Sequence, residues 1–313
     1  MISAYCLDYN TWVCIPHHVR EDFQKMVEMG IDTVCFSFSE NDMSYARRTF
    51  EILVDLAHEA GLKVFVIPSR VAGRFAGAPL MPSIWLVQHP EYQVPDDYWL
   101  PTACIECEEV RTWMKEFMHT LVTEYAIDGI VWDEPKAPVL VSHHPATIAK
   151  YGPEPTEENM AESFCEFLAE LTTYCHELNP NLVQTLFCQK TEPEFFTQMV
   201  SKTPYIDYFG YDGNLAKQRV FKEPIHEAKY RIEDVWDRTV SECEAAGKKT
   251  FALVESMFMP REEHENFEKA FDNYLTNYHP EHLSVYFYAH NADDPEGLND
   301  VVTRVMKKHF GRK

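Results

Sequence analysis

Eight times along the chain, a short run of apolar, mostly β-branched or aromatic residues is followed by a longer stretch with helical periodicity. The runs are ISAYCLD (2–8), DTVCFSFS (32–39), LKVFVIP (62–68), DGIVWDE (128–134), LVQTLFCQ (182–189), IDYFGYD (206–212), TFALVES (250–256) and LSVYFYAH (283–290). Strands that read as near-continuous apolar runs belong to a parallel sheet buried on both faces, and parallel neighbours need a crossover, usually a helix. Gly30, Gly61 and Gly247 fall at helix ends just before the next strand, where a left-handed C-cap is wanted. Eight such units close into a (β/α)8 barrel, an α/β fold. An open doubly wound sheet would carry a GxGxxG turn after its first strand, and there is none. At 313 residues, with no linker and no low-complexity segment, the expectation is one barrel domain over 1–313.

Loop lengths give this barrel a polarity. Connections from helix to strand are short, whereas two connections from strand to helix are long: 69–104 after the third strand and 135–156 after the fourth. Chemistry in such barrels sits at the C-terminal ends of the strands, so these two loops are expected to wall a cleft there. Trp85, Tyr92, Tyr98 and Trp99 in the first loop offer faces on which a ring-shaped substrate could stack.

Composition narrows the partners. Fifty acidic against 28 basic residues give a formal charge of −22, which argues against nucleic acid and anionic membrane, since phosphate binding needs clustered Lys and Arg. No run of about 18 apolar residues predicts a membrane span. The first residues, MISAYCLDYNTWVC, show no basic segment followed by an apolar one, so no signal peptide is expected. Nine cysteines, an odd number, are scattered through the chain, and several lie within apolar runs, a pattern of reduced core thiols in a cytoplasmic protein. Cys104 and Cys107 form a CxxC, but no second ligand pair is visible, and the pairs His17-His18 and His143-His144 read as loop histidines. No metal or cofactor is expected.

The expected C-terminal strand ends collect polar residues: Asp8, Glu40, Arg70, Asp133 with Glu134, Gln189, Tyr211 with Asp212, Glu255, and Tyr288 with His290. Any one of these is ordinary. Glu255 is not, because it follows FALV and precedes SMFM, where a carboxylate is costly unless hydrogen-bonded or used. Two carboxyls facing each other across a barrel mouth suit glycosidic cleavage, in which one delivers a proton and the other stays ionised. Arg70 and Lys136, just past the third and fourth strands, are placed to hold one of them charged. Neighbouring strand residues point to opposite faces, so Asp133 and Glu134 are not expected to face the cleft together, and Glu134 is taken as the inward one.

Glutamates ending the fourth and seventh strands resemble the clan A, or 4/7, retaining glycoside hydrolases. There the fourth strand usually closes with Asn-Glu, often followed by Pro; Asp133-Glu134-Pro135 matches except at its first residue. The resemblance implies that Glu134 is acid/base and Glu255 nucleophile, with Tyr211 touching the nucleophile and Tyr288 flooring a sugar subsite. Asp133, where the family has Asn, would orient Glu134 or bind a hydroxyl. The remaining strand-end residues, with Trp99 and Lys136, are then expected to bind a carbohydrate substrate. The stretch from Glu109 to Glu134 is also similar to α-amylase-like barrels, in which Asp133 would be the nucleophile. That family needs a glutamate on the fifth strand and His-Asp on the seventh, and this chain has LFCQ and LVES instead. A metal-dependent sugar isomerase using Asp8, Glu40, Asp212 and His290 and a non-catalytic sugar-binding barrel are the rival readings.

Overall fold

The structure, a computed structural model, describes residues 1–6, 15–77, 82–97, 101–220, 222–227, 230–286 and 292–311. Its centre is a closed parallel barrel of β1 (Ile2–Cys6), β2 (Thr33–Phe38), β3 (Lys63–Pro68), β4 (Gly129–Asp133), β5 (Val183–Cys188), β6 (Tyr208–Asn214), β7 (Lys249–Glu255) and β8 (His282–Tyr286). Each strand pairs with the next, and β8 returns to β1 through Ile2↔Leu283, Ser3↔Ser284 and Ala4↔Val285. Helices lie between the strands, so the (β/α)8 expectation holds. The last residues of the first and eighth predicted runs lie outside the described residues.

The sheet is apolar on both faces because each face has a core. Val34, Phe36, Val66, Ile130, Trp132 and Leu186 point outward into the large core beneath the helices. Tyr5, Cys35, Phe65, Val131, Phe187 and Leu253 point inward and fill the barrel itself. Alternation along each strand therefore decides which residues reach the axis. Gly210 on β6 has no room for a side chain, since a Cβ there would lie 1.9 Å from the Phe251 carbonyl oxygen on β7.

Low in the barrel, the fully buried His282 stands 2.8 Å from Ser3 Oγ, which donates in turn to Ser284 Oγ at 2.9 Å. Phe65, Tyr208 and Phe251 present themselves edge-on to the imidazole. Burial pushes His282 well below the usual histidine range, so it is neutral. The seven cysteines whose side chains are described are free thiols. Burial pushes Cys35, Cys165, Cys175 and Cys243 up to about 12, as expected of unreactive core thiols. No helix among the described residues is long and apolar enough to cross a membrane.

Candidate active site

The loop after β3 folds back on itself and is fastened to the loop after β4. Ala103 N donates to Ala72 O at 2.9 Å, and Ala76 N donates to Asp133 O at 2.8 Å. The buried Arg74 guanidinium bonds Ala103 O and reaches the carbonyls of Lys136 and Ala137, while Lys136 N donates to Arg74 O at 2.9 Å. Six non-glycine residues among those described adopt positive φ: Arg70, Ala72, Glu134, Ala137, Tyr205 and Phe258. All but Tyr205 sit just past the C-terminal ends of β3, β4 or β7. Strained backbone of this kind costs about 1–3 kcal/mol per residue and gathers at functional sites. The strain lies where the loop lengths place the cleft.

Asp133 is the last residue of β4 and faces inward by alternation, since its neighbour Trp132 packs outward on Phe75 and donates to Gln184. Glu134 should then point out, but it has left the strand with φ near 30°, and this turn swings it inward as well. Both carboxyls therefore enter the mouth, which corrects the expectation that only one could. Lys136 Nζ donates to Glu134 Oε2, and Gln189 Nε2, past the end of β5, donates to the same oxygen at 2.8 Å. Asp212 and Asn214 occupy inward positions on β6, and Asn214 pairs in register with Glu255 on β7. Asp212 lies close enough to both Glu134 and Glu255 for the three carboxyls to perturb one another.

Four carboxyls thus share one buried space: Asp133 and Asp212 are 4% exposed and Glu255 9%. They cannot all be ionised there. Burial first, then the charge of Glu134, pushes Asp133 well above the usual carboxylate range. Asp212 is pushed up in the same direction, by burial and by the charges of Glu134 and Glu255. Burial and the Glu134 charge also lift Glu255, to about 7, against the easing influence of Asp212 and Asn214. Burial works on Glu134 too, but Lys136, Asp212 and Gln189 outweigh it and hold Glu134 below the usual range. Glu134 is the ionised member.

Two polar atoms at this site lack well-formed hydrogen bonds: Asp212 Oδ1 and Asn214 Nδ2. Asn214 is close enough to ease the Glu255 charge without forming a strict hydrogen bond to it. Buried polar atoms left unpaired on the inner face of a barrel mouth are natural contacts for the hydroxyls of a ligand.

Among the described residues, Tyr211 and Glu40 do not join this cluster. Tyr211 lies on the outward face of β6, and its hydroxyl donates to Glu242 in the helix Trp236–Ala246. Alternation gives the inward position to Asp212, so Tyr211 is a packing residue and does not touch Glu255. Glu40 is also spent elsewhere: it accepts from Ser83 Oγ at 2.6 Å, Trp85 N at 2.7 Å and Ala72 N at 3.3 Å, tying the loop after β3 to the end of β2. Of the loop aromatics, Trp85 stacks on Trp113 of the helix Glu108–Glu124, with centroids 4.8 Å apart, and on Tyr92 at 5.4 Å. That stack secures the loop to the helix layer. Arg70, φ 56°, is buried and close enough for its charge to ease that of Asp133. Asp8, Tyr98, Trp99, Tyr288 and His290 lie outside the described residues.

Sequence reasoning missed Asn214 and Glu192. Asn214 was within reach of it, since the inward alternation of β6 continues from Asp212 by one more step. Glu192 follows β5 in a loop, and burial together with the Glu134 charge lifts it to about 7, against the pull of Lys136. No periodic signal marks it.

No protein-family model matches the sequence, and no curated protein matches it by sequence. Solved structures do resemble it in fold. The catalytic domain of a β-amylase from Paenibacillus polymyxa superposes with a TM-score of 0.65 at 10% identity, covering 98% of both chains. An endo-1,4-β-mannanase from Rhizomucor miehei gives 0.61 at 11% identity, covering 98% of this chain and 93% of its own. A β-galactosidase from Halorubrum lacusprofundi gives 0.69 at 10% identity, with 98% of this chain spanning 58% of that one. What the chain shares with these glycoside hydrolases is the (β/α)8 barrel fold.

Proposed function

We propose that the protein is a glycoside hydrolase working through Glu134 and Glu255, with Asp212 close to both and Asp133 and Asn214 positioned for substrate hydroxyls. The observation that carries this reading is the division of charge between the two glutamates. Glu134 is held ionised by Lys136 and Gln189, while Glu255 keeps a proton to about pH 7. One proton-bearing and one ionised carboxyl are what glycosidic cleavage requires.

This division assigns attack on the anomeric carbon to Glu134. As that carbon–oxygen bond breaks, Glu255 gives its proton to the leaving oxygen. Water then resolves the glycosyl-enzyme, losing its proton to the Glu255 carboxylate. The clan A resemblance implies the reverse roles, which would need Lys136 to release Glu134. As a retaining enzyme it would hold the two carboxyls about 5–5.5 Å apart, against about 6.5–9.5 Å in an inverting one. Asp133, the nucleophile in the α-amylase-like reading, faces inward as that reading needs, but burial keeps it protonated, and Gln189 follows β5 where that family has its glutamate. The isomerase reading loses Glu40, which is committed to the loop.

A panel of aryl α- and β-glycosides, with product configuration read by NMR, tests the proposal. Glu134→Ala and Glu255→Ala should each lower turnover on the accepted substrate at least a hundredfold with the fold intact. Azide should rescue both. A glycosyl azide of inverted configuration from Glu134→Ala, and of retained configuration from Glu255→Ala, supports Glu134 as nucleophile and Glu255 as acid. The opposite pattern restores the clan A roles, and wild-type rates in both variants would end the glycosidase reading at this site.

A further inference from the structure

We infer that Cys104, Cys107 and His144 form a metal site for a zinc-class divalent ion, which ties the two loops walling the barrel mouth to each other. Cys104 Sγ, Cys107 Sγ and a ring nitrogen of His144 all lie within 4.8 Å of one another, and Cys107 Sγ is 3.7 Å from His144 Nδ1. A tetrahedral zinc ion with its usual bond lengths sets thiolate and imidazole ligand atoms roughly 3.5–4 Å apart. Small side-chain shifts therefore close the site.

The surroundings prepare these residues as ligands. His144 Nε2 lies 2.9 Å from the Glu91 carbonyl oxygen, which can only accept, so Nε2 carries the ring proton. Nδ1 is left with its lone pair, 3.7 Å from Cys107 Sγ, and a donor hydrogen bond from the far ring nitrogen is the usual support of a metal-bound histidine. The bond from Ala146 N to Nδ1, at 3.1 Å, independently requires Nδ1 to be unprotonated. Metal binding redirects this lone pair and gives up that single helix-cap bond.

Glu106 completes the arrangement. Its Oε2 lies 3.0 Å from Cys104 Sγ and accepts from Thr147 Oγ1 at 3.0 Å, and Ser163 bonds its other oxygen. Three protein ligands leave one coordination position, next to this fixed carboxylate. Thiolate and imidazole donors select zinc over magnesium or calcium, which prefer oxygen.

Cys104 and Cys107 end the loop after β3, and His144 ends the run that begins at Glu134. An ion held by all three would fix the far ends of both walls, as Arg74 fixes their middle. The CxxC showed no partner in the sequence because His144 is 37 residues from Cys107, with a helix and a barrel strand between them.

The test is independent of any activity. Protein prepared in reducing, metal-free buffer is titrated with cobalt(II) and then zinc(II). About one equivalent of cobalt should bind with a thiolate-to-cobalt charge-transfer band, and zinc should abolish the band. Cys107→Ser and His144→Gln should each lose the band, while Cys165→Ser, which alters a thiol elsewhere, should keep it. Zinc should also raise the Tm of the wild type but not of His144→Gln. No thiolate–cobalt band in the wild type, or an unchanged band in His144→Gln, overturns the inference. So does a Cys104–Cys107 disulfide found by mass spectrometry in the reduced preparation.

Discussion

Under the proposed function, Glu255 is the residue at which activity and stability are most directly opposed. Its carboxyl rises from 4.5 to about 7, chiefly because it is buried and then because Glu134 is charged beside it. Below pH 4.5 both folded and unfolded chains hold this proton, and the group costs nothing. Between there and about 7 the unfolded chain releases the proton while the folded chain keeps it, so stability falls across that window and then levels off. Glu255→Gln keeps the volume and removes the titration. At pH 8 it should be more stable than the wild type by about 1–3 kcal/mol, since each tenfold change in proton affinity is worth about 1.36 kcal/mol. The gain should vanish near pH 4. Urea unfolding at the two pH values measures this, and a variant no more stable at pH 8 would mean that Glu255 is not held under strain. The same substitution should abolish turnover, the usual trade at an active site.

Among the elements, the loop after β3 shows best how far local sequence leads. Its length and its place after a strand predict a wall of the mouth, and its aromatic residues suggest a sugar platform. The structure instead lays Trp85 and Tyr92 against Trp113 and closes the loop on Glu40. Glu40→Ala removes the acceptor for one hydroxyl and two backbone N–H groups, and unpaired buried donors cost about 1–3 kcal/mol each. A loss of at least about 1 kcal/mol is expected, with faster limited proteolysis within 69–107. Had Glu40 bound substrate, the substitution would raise KM and leave unfolding and proteolysis unchanged.

For the whole molecule, the formal charge of −22 is the dominant electrostatic fact. Surface pairs such as Arg20–Glu59, Arg304–Glu268 and Lys308–Asp272 link helices across the shell, but each exposed pair is worth about 0–1 kcal/mol. Self-repulsion of the excess acidic charge should outweigh them. Raising salt from about 10 mM to about 150 mM shortens the screening length from roughly 30 to 8 Å. The Tm should then rise by about 2–4 °C, the shift that about 1 kcal/mol produces in a chain of this order. A Tm that falls with salt would place the ion pairs ahead of the net charge.

The amino-acid order alone determined the eight strand-and-helix units, the closed barrel and the end at which its polar residues collect. These follow from local periodicity and loop length, which are properties of neighbouring residues. Strand alternation also puts Asp133, Asp212 and Glu255 on the inner face, and it would have put Tyr211 on the outer one had the register of β6 been counted from Asp212. What the tertiary structure alone decided is where side chains go once the strands end. Glu134 reaches the mouth because one residue adopts φ near 30°, held by Lys136 and Gln189. Glu40 turns away because a loop 32 residues on supplies better donors. Cys104, Cys107 and His144 meet because two separate loops are fastened side by side. Each of these outcomes rests on contacts between residues far apart in sequence, and such contacts leave no period in the chain.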